Sequence, residues 1–222
     1  MNPFFAFQTH AAGTPATPPW RPLSELVDPD DPALAARIAA VRAHLATAAN
    51  RSADTIPLRV AASVTHLGLT ARLLSPALHL TVTTGQVPDL TLATTWYQPT
   101  LASTFPLSLP AVPGTPAETF RRHILEGPIA ALVDATRRYS VSPKILWGNV
   151  ASALHAATTQ LPPKATPLTQ SLLTHPPLHN TWTSTPVFRR RTCCLIYQAA
   201  RQGTPPSLCA DCVLNAPRAN RP

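Results

Sequence analysis

The sequence predicts an α+β fold: a mostly helical single domain with a few short antiparallel strands, followed by a C-terminal module that carries cysteines. Apolar residues recur at helical spacing in several long segments, whereas two segments between residues 90 and 109 have an extended pattern. All four cysteines fall between residues 193 and 212. Apolar residues make up 45% of the 222-residue chain, which is enough to build one core.

The composition divides the chain into three parts. Residues 1–22 contain five prolines, a composition typical of a flexible arm. We expect a mostly helical α+β domain to occupy residues 23–185. A cysteine-bearing module is expected at residues 186–216.

Two amphipathic helices come first in the predicted domain. One follows a turn rich in Asp and Pro, and its apolar face is formed by Leu34, Ile38, Val41 and Leu45. The other begins near Pro57. Pro76 is predicted to break or kink it, and a further segment continues to about Thr84.

Two short strands are predicted next. The segment Leu90–Trp96 partly alternates and is rich in threonine, which favours a strand. The segment Phe105–Leu109 is expected to pair with it. Its proline has no N–H to donate, so this second strand is predicted to lie at a sheet edge.

The remaining helices are predicted from their N-terminal signals. Thr115, Pro116 and Glu118 form an N-cap pattern and predict a helix that opens toward Leu125. Further helices are expected at residues 128–139, from residue 142 to about residue 160, and at residues 168–173.

The net charge of the chain is compatible with several classes of partner. The net charge is +8 and the isoelectric point is near 10.2, which suits nucleic acid, an anionic ligand or an acidic protein. No segment resembles a transmembrane helix, and the N-terminus is a poor secretory signal. We therefore expect a cytoplasmic protein, in which structural disulfides are uncommon.

The cysteines form two pairs. Cys193 and Cys194 are adjacent, fourteen residues follow, and Cys209 and Cys212 form a Cys-x-x-Cys turn. Four thiolates are the usual ligands of a [2Fe–2S] cluster or a structural zinc ion. Zinc sites usually use two spaced pairs, and neighbouring side chains tend to point apart. The adjacent pair therefore favours a two-iron cluster, which is a broader target than one ion, but it leaves zinc open.

Several motifs resemble a known family. Residues 191–197 together with residues 208–212 are similar to the C-terminal motif of the FhuF-like ferric-siderophore reductases. Residues 57–63 and 146–154 also resemble that family, so the likeness covers roughly residues 30 to 214.

The resemblance implies a cytoplasmic reductase that delivers one electron to an Fe(III)–siderophore complex, so that Fe(II) is released. It also implies that a [2Fe–2S] cluster is held by four ligands: Cys193, Cys194, Cys209 and Cys212. The family spacer between the pairs is typically ten residues, whereas here it is fourteen, which enlarges the loop around Gln202–Pro206.

The electron donor is expected to be a separate protein. The seven glycines are too scattered for a dinucleotide-binding motif, so we expect a ferredoxin or a reductase to supply the electron. This hypothesis includes no nucleic-acid partner and no integral membrane segment.

Three arginines, Arg189, Arg190 and Arg191, immediately precede the first cysteine pair. They could offset the cluster charge, attract an acidic donor or contact an anionic siderophore, and the alternative is a solvated basic run. Upstream, Trp147 and Asn149 are interpreted as a core tryptophan and a helix-packing asparagine.

Two other functions fit parts of the sequence. A zinc-stabilised basic module could bind nucleic acid, but aromatic residues are not interleaved with the arginines as base stacking requires. A redox-thiol protein could use Cys209 and Cys212, but the sequence lacks the βαβ pattern of thioredoxin-like proteins.

Overall fold

The structure is a computed structural model that describes residues 2–184, 187–200 and 208–215. It has the predicted α+β fold, mostly helical with short strands. The α-helices are α1 (Ala33–Ala48), α2 (Leu58–Thr84), α3 (Ala130–Arg137), α4 (Pro143–Thr158) and α5 (Thr166–Thr174). The strands are β1 (Gln8–His10), β2 (Arg21–Pro22), β3 (Gln86–Val87), β4 (Trp96–Tyr97), β5 (Leu107–Pro110), β6 (Thr115–Pro116), β7 (Trp182–Thr183) and β8 (Arg189–Arg190).

Short helices fill the connections. One is a π-helical segment, Arg121–Ile129, in which Gly127 departs from helical backbone angles. The 3-10 helices are Pro3–Phe5, Leu23–Leu26, Ala53–Thr55, Ala117–Thr119, Pro163–Ala165, Ile196–Ala199 and Val213–Asn215.

Helix α2 is the centre of the core. It packs against α1, α3 and α4, and most of its side chains are buried. Of the two possibilities predicted at Pro76, a break or a kink, the break is wrong, because one helix runs through this residue and ends at Thr84 as expected. Pro76 itself is buried, and Leu73, Leu74, Ala77 and Leu78 around it are buried in the same core. Burial of apolar side chains on both sides of the proline outweighs the one hydrogen bond that its missing N–H removes.

The main sheet has the strand order β1-β5-β4-β2. The predicted pairing of the two central segments is confirmed, since Trp96 lies opposite Ser108 in an antiparallel ladder. The predicted edge position of β5 is wrong, because β1 pairs with its other side in parallel register, Gln8 opposite Ser108. The prolines allow this arrangement because Pro106 precedes the strand and Pro110 is its last residue.

The strand predicted at Leu90–Trp96 is reduced to its final residue, which begins β4. The preceding threonines form a turn instead. Thr91 Oγ1 accepts the Thr94 N–H at 3.2 Å, and the Thr91 carbonyl accepts the Thr95 N–H at 3.0 Å. Threonine hydroxyls that bond the local backbone compete with a sheet ladder in this way.

Residues 2–22 pack on the rest of the domain, which corrects the expectation of a flexible arm in this part of the chain. They supply β1 and β2 to the main sheet. Arg72 on α2 also holds them, because its guanidinium donates to the Ala6 carbonyl at 2.7 Å and the Phe4 carbonyl at 3.2 Å, while its Nε donates to the Phe105 carbonyl at 2.8 Å. Burial lowers the pKa of Arg72 to about 10, and the carbonyls satisfy the charged group.

The helix predicted to open toward Leu125 is present as the 3-10 helix Ala117–Thr119 and the π-helical segment Arg121–Ile129, but its predicted N-cap at Thr115 is wrong. Thr115 and Pro116 form β6, which pairs with β3, and Thr115 Oγ1 contacts His123 Nδ1 at 2.8 Å rather than capping a helix. The other predicted helices are confirmed as α1 and α3 to α5. At the start of α4, Ser142 Oγ accepts the Lys144 N–H at 3.3 Å, as the cap signal predicts.

We predict that His66 makes the fold acid-sensitive. Burial lowers the pKa of His66 to about 3, below its ordinary 6.5, so the unfolded chain binds a proton that the folded chain excludes between these values. The free energy of unfolding should therefore fall as pH falls from 6.5 toward 3, by up to about 1.4 kcal/mol per pH unit from this residue. In His66→Gln, denaturant titrations at several pH values should show a shallower decline; an unchanged slope would contradict this role.

Candidate functional site

Strand β8 places the cysteine-bearing segment against the helical core. It pairs with β7, with Trp182 opposite Arg190, and packs on α4. The chain then passes Cys193 and Cys194 into the 3-10 helix Ile196–Ala199, which packs on α2.

The second cysteine segment is tied to β8. The Arg190 N–H donates to the Asp211 carbonyl at 3.0 Å, and Arg189 Nη1 donates to the Cys212 carbonyl at 3.3 Å. Within the turn, the Cys212 N–H bonds the Cys209 carbonyl at 3.0 Å. These backbone contacts hold residues 208–215 beside the first pair of cysteines.

The two pairs of cysteines meet. Cys194 Sγ lies 3.5 Å from Cys209 Sγ, and none of the four forms a disulfide. Cys194 and Cys212 are buried, whereas Cys193 and Cys209 are half-buried. Either thiol of the Cys194–Cys209 pair could be the hydrogen-bond donor.

The contacts among the cysteines shift their pKa values in opposite directions. Hydrogen bonds with Cys193 and Cys209 lower the pKa of Cys194, and the Arg190 charge adds to the effect. The same bonds raise the pKa of Cys193 and of Cys209. The thiolate, which is the form that binds metal, is therefore favoured at Cys194.

Backbone N–H groups also face the sulfurs. The Leu195 N–H donates to Cys193 Sγ at 3.3 Å, and the Ile196 N–H donates to Cys194. Leu195 has φ 71°, a left-handed conformation that a residue with a side chain adopts at a cost of about 1–2 kcal/mol. Its side chain packs against a small cluster of Ala46, Ile56, Val60 and Ala199, which opposes that cost. The strained turn directs successive N–H groups toward the sulfurs.

Arg190 is the one residue of the arginine triplet whose side chain is buried, with 1% of its surface exposed. Its Nη1 donates to Asn149 Oδ1 at 3.0 Å, and its Nη2 donates to Asp211 Oδ1 at 3.2 Å. Its Nε lies 3.0 Å from Asp211 Oδ2, which is a charge contact without hydrogen-bond alignment. The sulfurs of Cys194 and Cys209 lie close enough to the guanidinium for its charge to act on them.

The charges around Arg190 keep it protonated. Burial alone would lower its pKa, but the Asp211 carboxylate and the two neighbouring sulfurs outweigh burial, so the pKa is raised. The interpretation of residues 189–191 as a solvated run is therefore wrong for Arg190. Arg189 is half-buried and Arg191 is exposed. Because side chains alternate along a strand, Arg189 and Arg190 project from opposite faces of β8; the alternation by itself does not say which of them is buried.

Asn149 connects this group to the helical core. Its Nδ2 donates to the Ser63 carbonyl at 3.1 Å and to Ser63 Oγ at 3.2 Å on α2, while its Oδ1 accepts from Arg190. The expected helix-packing role is thus confirmed, and the contact with Arg190 is one that the sequence analysis missed. Trp147, expected in the core, is only half-buried.

Gly148 leaves space for the side chain of Thr192, the residue before the first cysteine. A Cβ at this position would lie 2.4 Å from Thr192 Oγ1. That hydroxyl donates to the Lys144 carbonyl at 3.2 Å, so the close approach joins α4 to the cysteine segment.

The ligand chemistry suits a metal held by thiolates. The 3.5 Å separation of Cys194 Sγ and Cys209 Sγ is near the ~3.8 Å edge of a tetrahedron with metal–sulfur bonds of about 2.3 Å. N–H donors to sulfur, as at Leu195, tune such centres. Within the residues that the structure describes, no three His, Cys, Asp or Glu side chains are placed as a ready metal site, so the fit rests on the four thiols as ligand types and on the close approach of Cys194 and Cys209. The enlarged loop expected around Gln202–Pro206 lies outside those residues.

We predict unequal effects of two neighbouring arginines on stability. Arg190→Met leaves the Asp211 carboxylate and the buried Asn149 amide without their partner, and should lower the free energy of unfolding by about 3–5 kcal/mol. Arg189→Met removes one hydrogen bond to a carbonyl and should lower it by about 1 kcal/mol. Urea denaturation followed by circular dichroism measures both. Equal losses would contradict the assignment; Arg190→Lys, which keeps the charge, should fall between them.

We predict that Gly148 and Thr192 are coupled. Gly148→Ala drives a methyl group into Thr192 Oγ1 and should cost about 1–3 kcal/mol. In the double variant Gly148→Ala/Thr192→Ala the methyl group instead meets Thr192 Cβ at 3.8 Å, an ordinary contact, so most of that loss should be recovered. Thr192→Ala alone is the control and should cost about 1 kcal/mol. Simple addition of the single effects would show that the close approach is unimportant.

The comparison with known families agrees with the motifs. A model of the family described as ferric iron reductase FhuF-like transporter matches residues 69–198 of the 222-residue chain. This range includes Arg190, Cys193 and Cys194, and it ends before Cys209. No curated protein matches the chain. In the described ranges, no helix is long and apolar enough to span a membrane. Because the match covers more than half of the sequence and confirms the resemblance, the chain belongs to the FhuF-like ferric iron reductase family.

Proposed function

We propose that this protein is a cytoplasmic reductase that transfers one electron to an Fe(III)–siderophore complex and uses a [2Fe–2S] cluster to do so. The observation that carries the proposal is the approach of the two cysteine pairs, with Cys194 Sγ 3.5 Å from Cys209 Sγ beside a buried arginine. The family description supports ferric iron as the species that is reduced.

In this proposal residues 186–216 form the cluster-binding module. The cluster would be held by Cys193 and Cys194 from one segment and by Cys209 and Cys212 from the other. When bound, it supplies a centre that accepts and passes on single electrons. The protein's own contribution is to hold the four sulfurs in place through β8 and to surround them with hydrogen-bond donors.

Iron release follows from the change in oxidation state. One electron enters from the donor and leaves to the substrate, which converts Fe(III) to Fe(II). Hard siderophore oxygens hold Fe(II) far more weakly than Fe(III). No bond within the siderophore needs to break, so the reaction requires no acid, base or nucleophile from the chain.

Arg190 would adjust how readily the centre accepts an electron. Its buried positive charge lies beside the sulfurs of Cys194 and Cys209. A fixed positive charge stabilises the more negative, reduced form and so raises the reduction potential. Charge and hydrogen bonds around the sulfurs are the means by which a protein sets this potential.

The donor in this proposal is an acidic one-electron carrier protein, such as a ferredoxin. A basic surface lies near the 3-10 helix that follows Cys194. There Arg51 Nη1 donates to the Gln198 and Ala200 carbonyls, each at 3.2 Å, and Arg59 Nη2 lies 3.5 Å from Gln198 Oε1. Complementary charge speeds the encounter of such partners.

We predict that the four cysteines are needed for colour. Protein purified without oxygen should be red-brown, contain about two iron atoms per chain and give an electron paramagnetic resonance signal after one-electron reduction. Replacement of any one cysteine by serine should remove most of the visible absorption. Ala210→Ser, an exposed position in the same turn, is the matched control and should keep it.

Two results would contradict this assignment. A colourless protein with one bound zinc ion would favour the zinc-stabilised basic module, whose further test is nucleic-acid binding. Full retention of iron in Cys193→Ser would show that Cys193 is not a ligand. The reductase activity itself is tested by mixing the reduced protein with a ferric siderophore and trapping Fe(II), with about one Fe(II) expected per reduced cluster.

A further inference from the structure

A cavity of about 600 Å³ lies beside the cysteine segment. It opens between the start of α4, the turn that precedes β7 and the end of the arginine triplet. Its volume falls within the ~300–1,000 Å³ range of small-molecule sites. It is lined by Pro143, Lys144, Trp147, Pro177, His179, Asn180, Thr181, Arg191 and Thr192.

The cavity is lined by Thr192, the residue before the first cysteine. Thr192 forms part of its wall, and the Cα atoms of Thr192 and Cys193 are about 3.8 Å apart because they are sequence neighbours. Cys193 is half-buried, whereas its neighbour Cys194 is buried. Cys193 itself does not line the cavity, so a ligand there is separated from the first pair of cysteines by the Thr192 wall.

The cavity wall is positively charged. It contains Lys144 and Arg191 and no acidic side chain. Neither cation lies within ion-pair distance of a carboxylate in the parts of the chain that the structure describes. Arg191 is oriented by its Nε, which donates to the Trp182 carbonyl at 3.1 Å. Two cations without acidic partners in one concave wall attract an anion.

The wall also offers an apolar surface. Trp147 is half-buried, so part of its indole ring remains exposed, and Pro143 and Pro177 line the cavity with it. Aromatic and proline side chains give a rigid apolar surface that requires little ordering when a ligand binds. A bulky chelate with an organic ligand and a negative charge matches both parts of this wall.

We propose that this cavity is the substrate site and that it selects ferric siderophores of net negative charge. The inference rests on the proposed function, and it adds the place of binding and the charge class of the substrate. Lys144 and Arg191 attract the chelate, and Trp147 contacts its organic ligand. A cluster held by Cys193, Cys194, Cys209 and Cys212 would supply the electron for an Fe(III) complex bound in this cavity.

The first test measures binding without electron transfer. Gallium(III) siderophores keep the shape and charge of the iron complexes but are not reduced. Titration calorimetry of the intact protein should show that an anionic gallium tricatecholate binds at least tenfold more tightly than a cationic gallium trihydroxamate. Similar affinities for the two complexes would overturn the proposal.

The second test uses charge reversal with matched controls. The chain has two lysines, so Lys144→Glu in the cavity can be compared with Lys164→Glu, which changes the net charge equally at another exposed position. Arg191→Glu is paired with the exposed Arg137→Glu in the same way. Each cavity variant should weaken binding of the anionic complex about tenfold or more and leave the cationic complex unchanged or bound more tightly.

The outcomes separate this inference from the proposed function. Equal weakening by Lys144→Glu and Lys164→Glu would show that only net charge matters and would overturn the cavity assignment, even if ferric complexes are reduced. If gallium binding depends on Lys144 and Arg191 but no ferric complex oxidises the reduced protein, the binding site stands and the reductase function fails. Retained visible absorption in each variant confirms that the cluster segment is intact.

Discussion

The arrangement of the site depends on one buried ion pair, between Arg190 and Asp211. Removing a guanidinium from water is costly, and the cost is met only when charge and hydrogen bonds surround the group. Asp211 provides the charge, and Asn149 provides an acceptor from the face of α4 that packs on α2. The pair therefore aligns three parts of the chain at once: the helical core, strand β8 and the turn that carries the second pair of cysteines. Arg190, Asp211 and Asn149 lie far apart in the sequence. Their contacts therefore fix how β8, the second cysteine turn and α4 are placed relative to one another.

The same interaction connects stability to chemistry. The positive charge of Arg190 lies beside the Cys194 and Cys209 sulfurs, so the group that holds the segments together also lowers the pKa of the Cys194 thiol. The left-handed turn at Leu195 adds N–H donors on the other side. Its strain is opposed by packing on a small apolar cluster under α1 and α2. Helix packing thus determines the electrostatic surroundings of the proposed cluster, although no helix provides a cysteine.

Local sequence patterns predicted the helices well and the strands poorly. Leu34, Ile38 and Val41 recur with a period that is helical wherever the helix packs, so α1 follows from the sequence. The strands are two to four residues long and leave little periodicity to detect. Thr91 bonds its own turn, and prolines stand at both ends of β5. Pro76 misled the prediction for a different reason: the core buries the helix on both sides of it, which a local rule about proline does not take into account.

The sequence by itself determined the family, the four candidate cysteine ligands and the helical class of the fold, because spacing, residue type and periodicity are properties of short segments. Only the tertiary structure decided which arginine is buried, since Arg189, Arg190 and Arg191 are chemically identical and differ only in which of them faces the core where β8 packs on α4. It also decided that Gly148 leaves room for Thr192 and that Lys144 and Arg191 share one cavity wall. These pairs lie more than forty residues apart in the chain, and nothing short of the folded arrangement of α4 against β8 brings them together.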